Sequence, residues 1–162
     1  MRTLLPTAVV YLLLLQPLTL LAERPEPQGP AALGPWPQWR GPNRDDLNSE
    51  TGLLQAWPTA GPERLWSFRD CGVGYAGPAV VGDRLYILGS RNNQEALLCI
   101  DVNTGKELWA TPIGPELENS WGNGPRSTPT VDGELIYAVG GRGNLVCMLA
   151  QGGSVVWSKA MQ

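Results

Sequence analysis

One feature constrains this chain above all others: it repeats. Pro78, Gly82, Tyr86 and Gly89 recur as Pro129, Gly133, Tyr137 and Gly140, each 51 residues on. Cys99, Gly105 and Trp109 recur as Cys147, Gly153 and Trp157, each 48 residues on. The three-residue difference falls in the loop Arg91–Gln94, where an insertion adds little closure entropy. Trp66 joins the series. Leu65-Trp66-Ser67, Leu108-Trp109-Ala110 and Val156-Trp157-Ser158 share one pattern, spaced by 43 and 48 residues. A unit of this length cannot bury its apolar face alone, so a chain built from such units must stack them.

Each unit reads as four short strands separated by turn signals. The first set is predicted at about 77–81, 84–89, 96–101 and 106–111, the second at about 128–132, 135–140, 144–149 and 154–159. Val81-Gly82-Asp83 is a tight turn, and Asn103-Thr104-Gly105-Lys106 is a hairpin turn with glycine where positive φ is needed. The 20 glycines and 15 prolines suit many turns between short strands. No stretch after residue 22 has a helical period. The fold class expected is all-β: a β-propeller of four-stranded blades, with about two complete blades (76–111 and 127–159) and one outer strand carrying Trp66. Gly72-Val73-Gly74-Tyr75-Ala76-Gly77 matches a dinucleotide fingerprint in letters only. That motif needs a helix after it, and here Pro78 and a β-rich run follow, so a loop between blades is expected.

The chain has no histidine, which removes Ser-His-Asp and Cys-His catalysis, histidine zinc sites and c-type haem attachment from this segment. Met1-Arg2, an apolar stretch to about Leu21 and the small residue Ala22 read as a secretory signal peptide, with cleavage after Ala22. The expected location is therefore periplasmic or extracellular. A Pro- and Gly-rich leader spans 23–62, and the propeller segment 63–162. From residue 23 on there are 11 basic and 15 acidic residues, a net charge of −4, and no basic cluster. Nucleic acid and anionic membrane surfaces are poor partners for such a chain. Cys71, Cys99 and Cys147 form no C-x-x-C pair, and no metal site is expected. Cys99 and Cys147 sit in apolar strand-like runs and read as buried thiols. Cys71, in a Gly-rich loop, is the more reactive candidate.

Cys99-Ile-Asp101-Val-Asn-Thr104-Gly105-Lys106-Glu-Leu-Trp109 resembles the repeat of pyrroloquinoline-quinone-like (PQQ-like) β-propellers. Asp101, Thr104, Gly105, Lys106 and Trp109 match that pattern, and Cys99 stands where alanine is usual. The second copy keeps Gly153 and Trp157 but has Leu149, Gly152 and Ser154 in place of the Asp, Thr and Lys. Trp36-Pro-Gln-Trp39-Arg40-Gly41-Pro42-Asn43-Arg44-Asp45 is similar to the opening of secreted, planctomycete-type bacterial members, with Asp46 replacing an expected glycine. The resemblance implies that Trp66, Trp109 and Trp157 dock between blades. A ring of about eight blades needs roughly 360 residues. Residues 23–162 number 140, so the chain is expected to be a fragment whose missing blades or self-association would cover its open edges.

No catalytic residue is assigned. In a propeller the loops entering the innermost strands are the usual binding position. At the 51-residue offset Tyr75 aligns with Arg126, and Asn123 lies beside them. Tyr75 is the stacking candidate and Arg126 the candidate donor to an anion or carbonyl. The function expected is a non-catalytic extracytoplasmic scaffold for protein or cell-envelope contacts, without a cofactor, similar to the repeat module of outer-membrane assembly scaffolds. The alternative is an arc of a PQQ-dependent alcohol or sugar dehydrogenase. As the resemblance implies, that enzyme needs calcium, carboxylates and an Asn around it, a catalytic Asp and often two adjacent cysteines. No two cysteines are adjacent here, and the tempting carboxylates are Asp70 and Asp101. A third reading is a small-molecule or polysaccharide-binding propeller.

Overall fold

The structure, a computed structural model, describes residues 34–161. The expected signal peptide lies outside the described residues. Eight strands form two four-stranded antiparallel sheets. The first blade holds β1 (Ala79–Val81), β2 (Arg84–Arg91), β3 (Gln94–Asp101) and β4 (Glu107–Pro115). The second holds β5 (Thr130–Asp132), β6 (Leu135–Val139), β7 (Asn144–Leu149) and β8 (Val155–Ala160). Strands pair in sequence order within each sheet. The described residues contain no helix and form part of a β-propeller.

The turns follow from local chemistry. Asn92 and Asn93 close the β2–β3 hairpin at φ of 52° and 62°, the left-handed pair that a two-residue turn requires and that Asn tolerates. The β3–β4 turn is clasped by Asp101, whose Oδ1 accepts from the Thr104 amide at 2.8 Å and its hydroxyl at 2.9 Å. These bonds, the hydroxyl first, hold the Asp101 carboxyl below its ordinary range. The β7–β8 turn has no such carboxylate, yet closes alike: the Gly153 amide donates to Leu149 O at 2.9 Å, as the Gly105 amide does to Asp101 O at 2.8 Å. A register shift also recurs, between Cys99 and Ile100 and between Cys147 and Met148.

The blades stack face to face. Tyr86, Leu88, Leu97 and Cys99 of the first meet Val131, Ile136, Ala138, Val146 and Met148 of the second. Buried Glu95, only 1% exposed, links the blades: its Oε1 accepts from the Leu117 amide at 3.1 Å and its Oε2 from the Gly141 amide at 2.7 Å. The leader covers inner edges. Trp36 exchanges two backbone bonds with Val80 of β1, and Pro37 O accepts from the Val131 amide of β5 at 2.8 Å. Edges left bare would invite pairing with other chains.

The outer strand expected around Trp66 does not form. Residues 61–69 hold no strand, and none of the eight described strands pairs with them. The indole docks nonetheless: Trp66 Nε1 donates to Val102 O at 2.6 Å.

Candidate functional site

The loops entering β1 and β5 lie side by side. The Tyr75 amide donates to Pro125 O at 2.8 Å, and Val73 exchanges backbone bonds with Ser90. The Gly72–Gly77 run is thus a crossing loop, with Gly72 at φ 82° where any Cβ would strike the Ser90 carbonyl. The Arg126 guanidinium lies 5.5 Å from the Tyr75 ring centroid, a cation–π distance. Sequence alignment at the blade offset thus pairs two side chains that stack in space.

Arg126 differs from the free donor expected. Its two terminal nitrogens bond its own loop, to Gly122 O at 2.7 Å and Gly124 O at 3.3 Å. Two glycine carbonyls are within its reach, and satisfying them fixes the loop. Asn123 is likewise engaged: its Nδ2 donates to Glu116 Oε1 at 3.0 Å and its Oδ1 accepts from the Asn119 amide at 3.1 Å. Glu116 also accepts from the Ser90 hydroxyl. The three residues share one loop system, but only Tyr75 and Arg126 touch.

Trp121 escapes the sequence reading: it is 87% exposed and precedes Gly122 in this loop, while Tyr75 is 62% exposed. The adjoining Gly122 packs so closely on Tyr75 that a Cβ would strike its hydroxyl. A signal for Trp121 exists: it stands among turn residues, outside the blade period. The result is a Tyr75–Arg126 pair held by its own loops, with an exposed tryptophan one residue from the Gly122 contact.

The repeat residues form a second system. The Trp66 indole covers Gly105, where an added Cβ would lie 2.7 Å from the ring, and Trp109 covers Gly153, where it would lie 2.5 Å away. Tyr86 OH donates to Ala150 O at 3.5 Å and Thr111 Oγ1 to Gly153 O at 2.9 Å. Lys106 contributes its backbone, accepting from the Asp101 amide at 2.8 Å. Burial pushes the Tyr86 hydroxyl up to about 12 and the Cys99 thiol up to about 11. Cys71 is half-buried and is also raised, chiefly by burial, with Arg91 opposing.

Comparison with known proteins places this architecture. The family model described as "Outer membrane protein assembly factor BamB" matches residues 50–162. The chain belongs to this family. A BamB from Burkholderia pseudomallei (strain K96243) is 29% identical over 124 residues, covering 74% of this chain and 29% of that protein. The serine/threonine-protein kinase AfsK of Streptomyces griseus is 32% identical over 96 residues, covering 56% of this chain and 11% of the kinase. The chain therefore spans less than a third of the curated relatives it matches. Among solved structures, BamB from Moraxella catarrhalis aligns with TM-score 0.45 and 18% identity, over 60% of this chain and 27% of that one. Quinohemoprotein alcohol dehydrogenase from Comamonas testosteroni aligns with TM-score 0.43 and 24% identity, over 55% and 13%.

The Asp101 carboxylate is spent on its own turn and on Arg84. Asp70 lies in an open groove whose other charged walls are Arg69, Arg91 and Glu107. Cys71, Cys99 and Cys147 are separate free thiols, and no group of three His, Cys, Asp or Glu is placed to hold a metal among the described residues.

Proposed function

We propose that this chain is a non-catalytic, exported scaffold that presents its blade-entry loops to a protein or envelope partner. The observation that carries this reading is the exposed Tyr75–Arg126 pair, with exposed Trp121 in the same loop as Arg126. Large aromatic area beside a guanidinium suits protein recognition, since aromatics and Arg dominate the energetics of interfaces. The hydrogen bonds that use up Arg126 and Asn123 fix this surface in advance and lower the entropy lost on docking. The BamB family supports the protein-partner reading, because the matching model is named for assembly of outer-membrane proteins. Export, through the apolar N-terminal stretch, agrees with that setting.

The test has two arms. Photo-crosslinking residues placed at Trp121 and Tyr75 in the exported chain should yield a discrete envelope-protein adduct, while placement at exposed Glu134 should not. Equal labelling at all three positions would remove the loop surface from consideration. Purified chain with added quinone and calcium should reduce no dye. Quinone-dependent dye reduction would overturn the scaffold reading in favour of a dehydrogenase arc.

A further inference from the structure

A cleft of about 440 Å³ opens between the two blades, at the ends of β1 and β5 away from the Tyr75–Arg126 loops. Arg84 and Tyr86 line it from the first blade, and Glu134, Leu149, Ala150 and Gln151 from the second. Both walls belong to blades that pack on each other, so no further blade is needed to form it. Its volume suits a small molecule.

The polar groups around it are incompletely used. Tyr86 begins the row that Cys99 and Trp109 continue across β3 and β4, and Tyr137, Cys147 and Trp157 repeat that row across β6, β7 and β8. Tyr86 is 4% exposed, yet the bond from its hydroxyl to Ala150 O is stretched to 3.5 Å. Arg84 meets Asp83 at 3.2 Å and Asp101 at 3.4 Å, both through Nη1. Its Nε and Nη2 donate to nothing among the described residues. The Glu134 carboxylate makes no ion pair among them, while its carbonyl accepts from the Ala150 amide at 2.9 Å and fixes that wall.

The repeat separates these residues from what the blade itself requires. Arg84 stands where the second blade has Leu135, Leu149 where the first turn has Asp101, and Ala150 where it has Val102. The smaller Ala150 leaves room beside the Tyr86 hydroxyl, and exposed Leu149 gives the cleft an apolar surface.

We propose that this cleft binds a neutral saccharide unit. Charge selects the class. Asp83 and Asp101 already offset Arg84, and Glu134 adds a further carboxylate, so an anion is repelled. A cation would leave the open N–H donors of Arg84 without an acceptor. A neutral pyranose meets both walls: its hydroxyls accept from Arg84 and Tyr86 and donate to Glu134 and Gln151, and its C–H face rests on Leu149 and Ala150. The proposal goes beyond the scaffold reading and does not rest on it, since that reading is tested at other residues.

Saturation-transfer NMR on the purified chain tests it, with glucose, N-acetylglucosamine and cellobiose as probes and glucuronate as the charged counterpart. The neutral sugars should bind, and glucuronate should bind at least about tenfold more weakly. Tyr86→Phe should weaken the neutral sugars about tenfold, whereas Tyr137→Phe, the same change in the matching row, should not. Arg84→Leu, which installs the residue of the second blade, should abolish binding. So should Ala150→Val, which installs the residue of the first turn, removes no polar group and so guards against misfolding. Cellobiose bound more tightly than glucose supports a glycan chain as the source of the unit, and equal affinity supports a free sugar. Neutral sugars that do not bind, glucuronate that binds best, or binding that survives both Arg84→Leu and Ala150→Val would each overturn the proposal.

Discussion

The two Tyr–Cys–Trp rows share a geometry and differ in what lies on top of them. In the first blade the row is capped by the β7–β8 turn, and Tyr86 and Cys99 are fully buried. In the second blade no turn among the described residues covers the row: Cys147 is still buried, but Trp157 is 42% exposed. Local sequence therefore dictates the row, and the neighbouring blade dictates its energetic weight. Substitutions at matching positions should expose that weight directly. Trp109→Ala should lower stability by about 3 kcal/mol, through lost burial and a gap over Gly153. Trp157→Ala should lower it by only about 1 kcal/mol, because its indole is still half in water. Urea unfolding at dilute protein measures both. Equal losses would break the comparison.

The contact between blades is polar as well as apolar. Glu95→Ala should cost about 2 kcal/mol by leaving the Leu117 and Gly141 amides without their charged acceptor. The matching position in the second blade is Gly143, so the device has no counterpart there. Hydrogen exchange should show Gly141 losing protection, while amides within β2 and β3 keep theirs. Uniform loss across the first blade would mean Glu95 supports its own sheet rather than the junction.

Alkali should separate the rows by a smaller margin. Tyr86 and Cys99 keep their protons to about 12 and 11 in the folded state, against ordinary values of 10.0 and 9.0. The unfolded chain releases those protons first, so stability is full below pH 9 and falls as pH rises toward 12. Tyr86→Phe should flatten the upper part of that fall. Tyr137, also raised by desolvation but not capped by a blade, should give a weaker effect as Phe. A pH scan of melting temperature decides, and equal flattening would mean that the blade contact adds nothing.

How far the fold was legible follows from where its determinants lie. Strands and turns are local, so Gly82, Gly105, Gly133 and the alternating apolar residues placed all eight strands to within a few residues. The family was legible for the same reason, because Asp101, Thr104, Gly105, Lys106 and Trp109 form one contiguous motif. The site was less so. Tyr75 and Arg126 come together because the repeat offset places them, but whether Arg126 bonds a partner or its own loop is set by the carbonyls of Gly122 and Gly124. Glu95 gave no signal at all: a carboxylate in an apolar strand is satisfied by amides 22 and 46 residues away, which no local pattern shows. The leader was legible as a family-like opening, but no local pattern showed that Trp36 and Pro37 bond β1 and β5.

The turn glycines give the finest version of the comparison. Gly133 and Gly153 both have positive φ, 57° and 69°, so alanine strains the backbone at either by about 1 kcal/mol. They differ in what lies above. Nothing lies within 4 Å of a Cβ on Gly133, whereas one on Gly153 would sit 2.5 Å from the Trp109 ring and 2.7 Å from the Thr111 hydroxyl. Gly133→Ala should therefore cost only the backbone strain, and Gly133→Asn less, since Asn tolerates the left-handed region. Gly153→Ala should cost about 1 kcal/mol more than Gly133→Ala, because the indole must lift off the turn. In a Trp109→Ala background most of that excess should vanish, leaving only the contact with the Thr111 hydroxyl. If it persists there in full, Gly153 is required by its own turn alone and the docking of one blade on the next owes nothing to it.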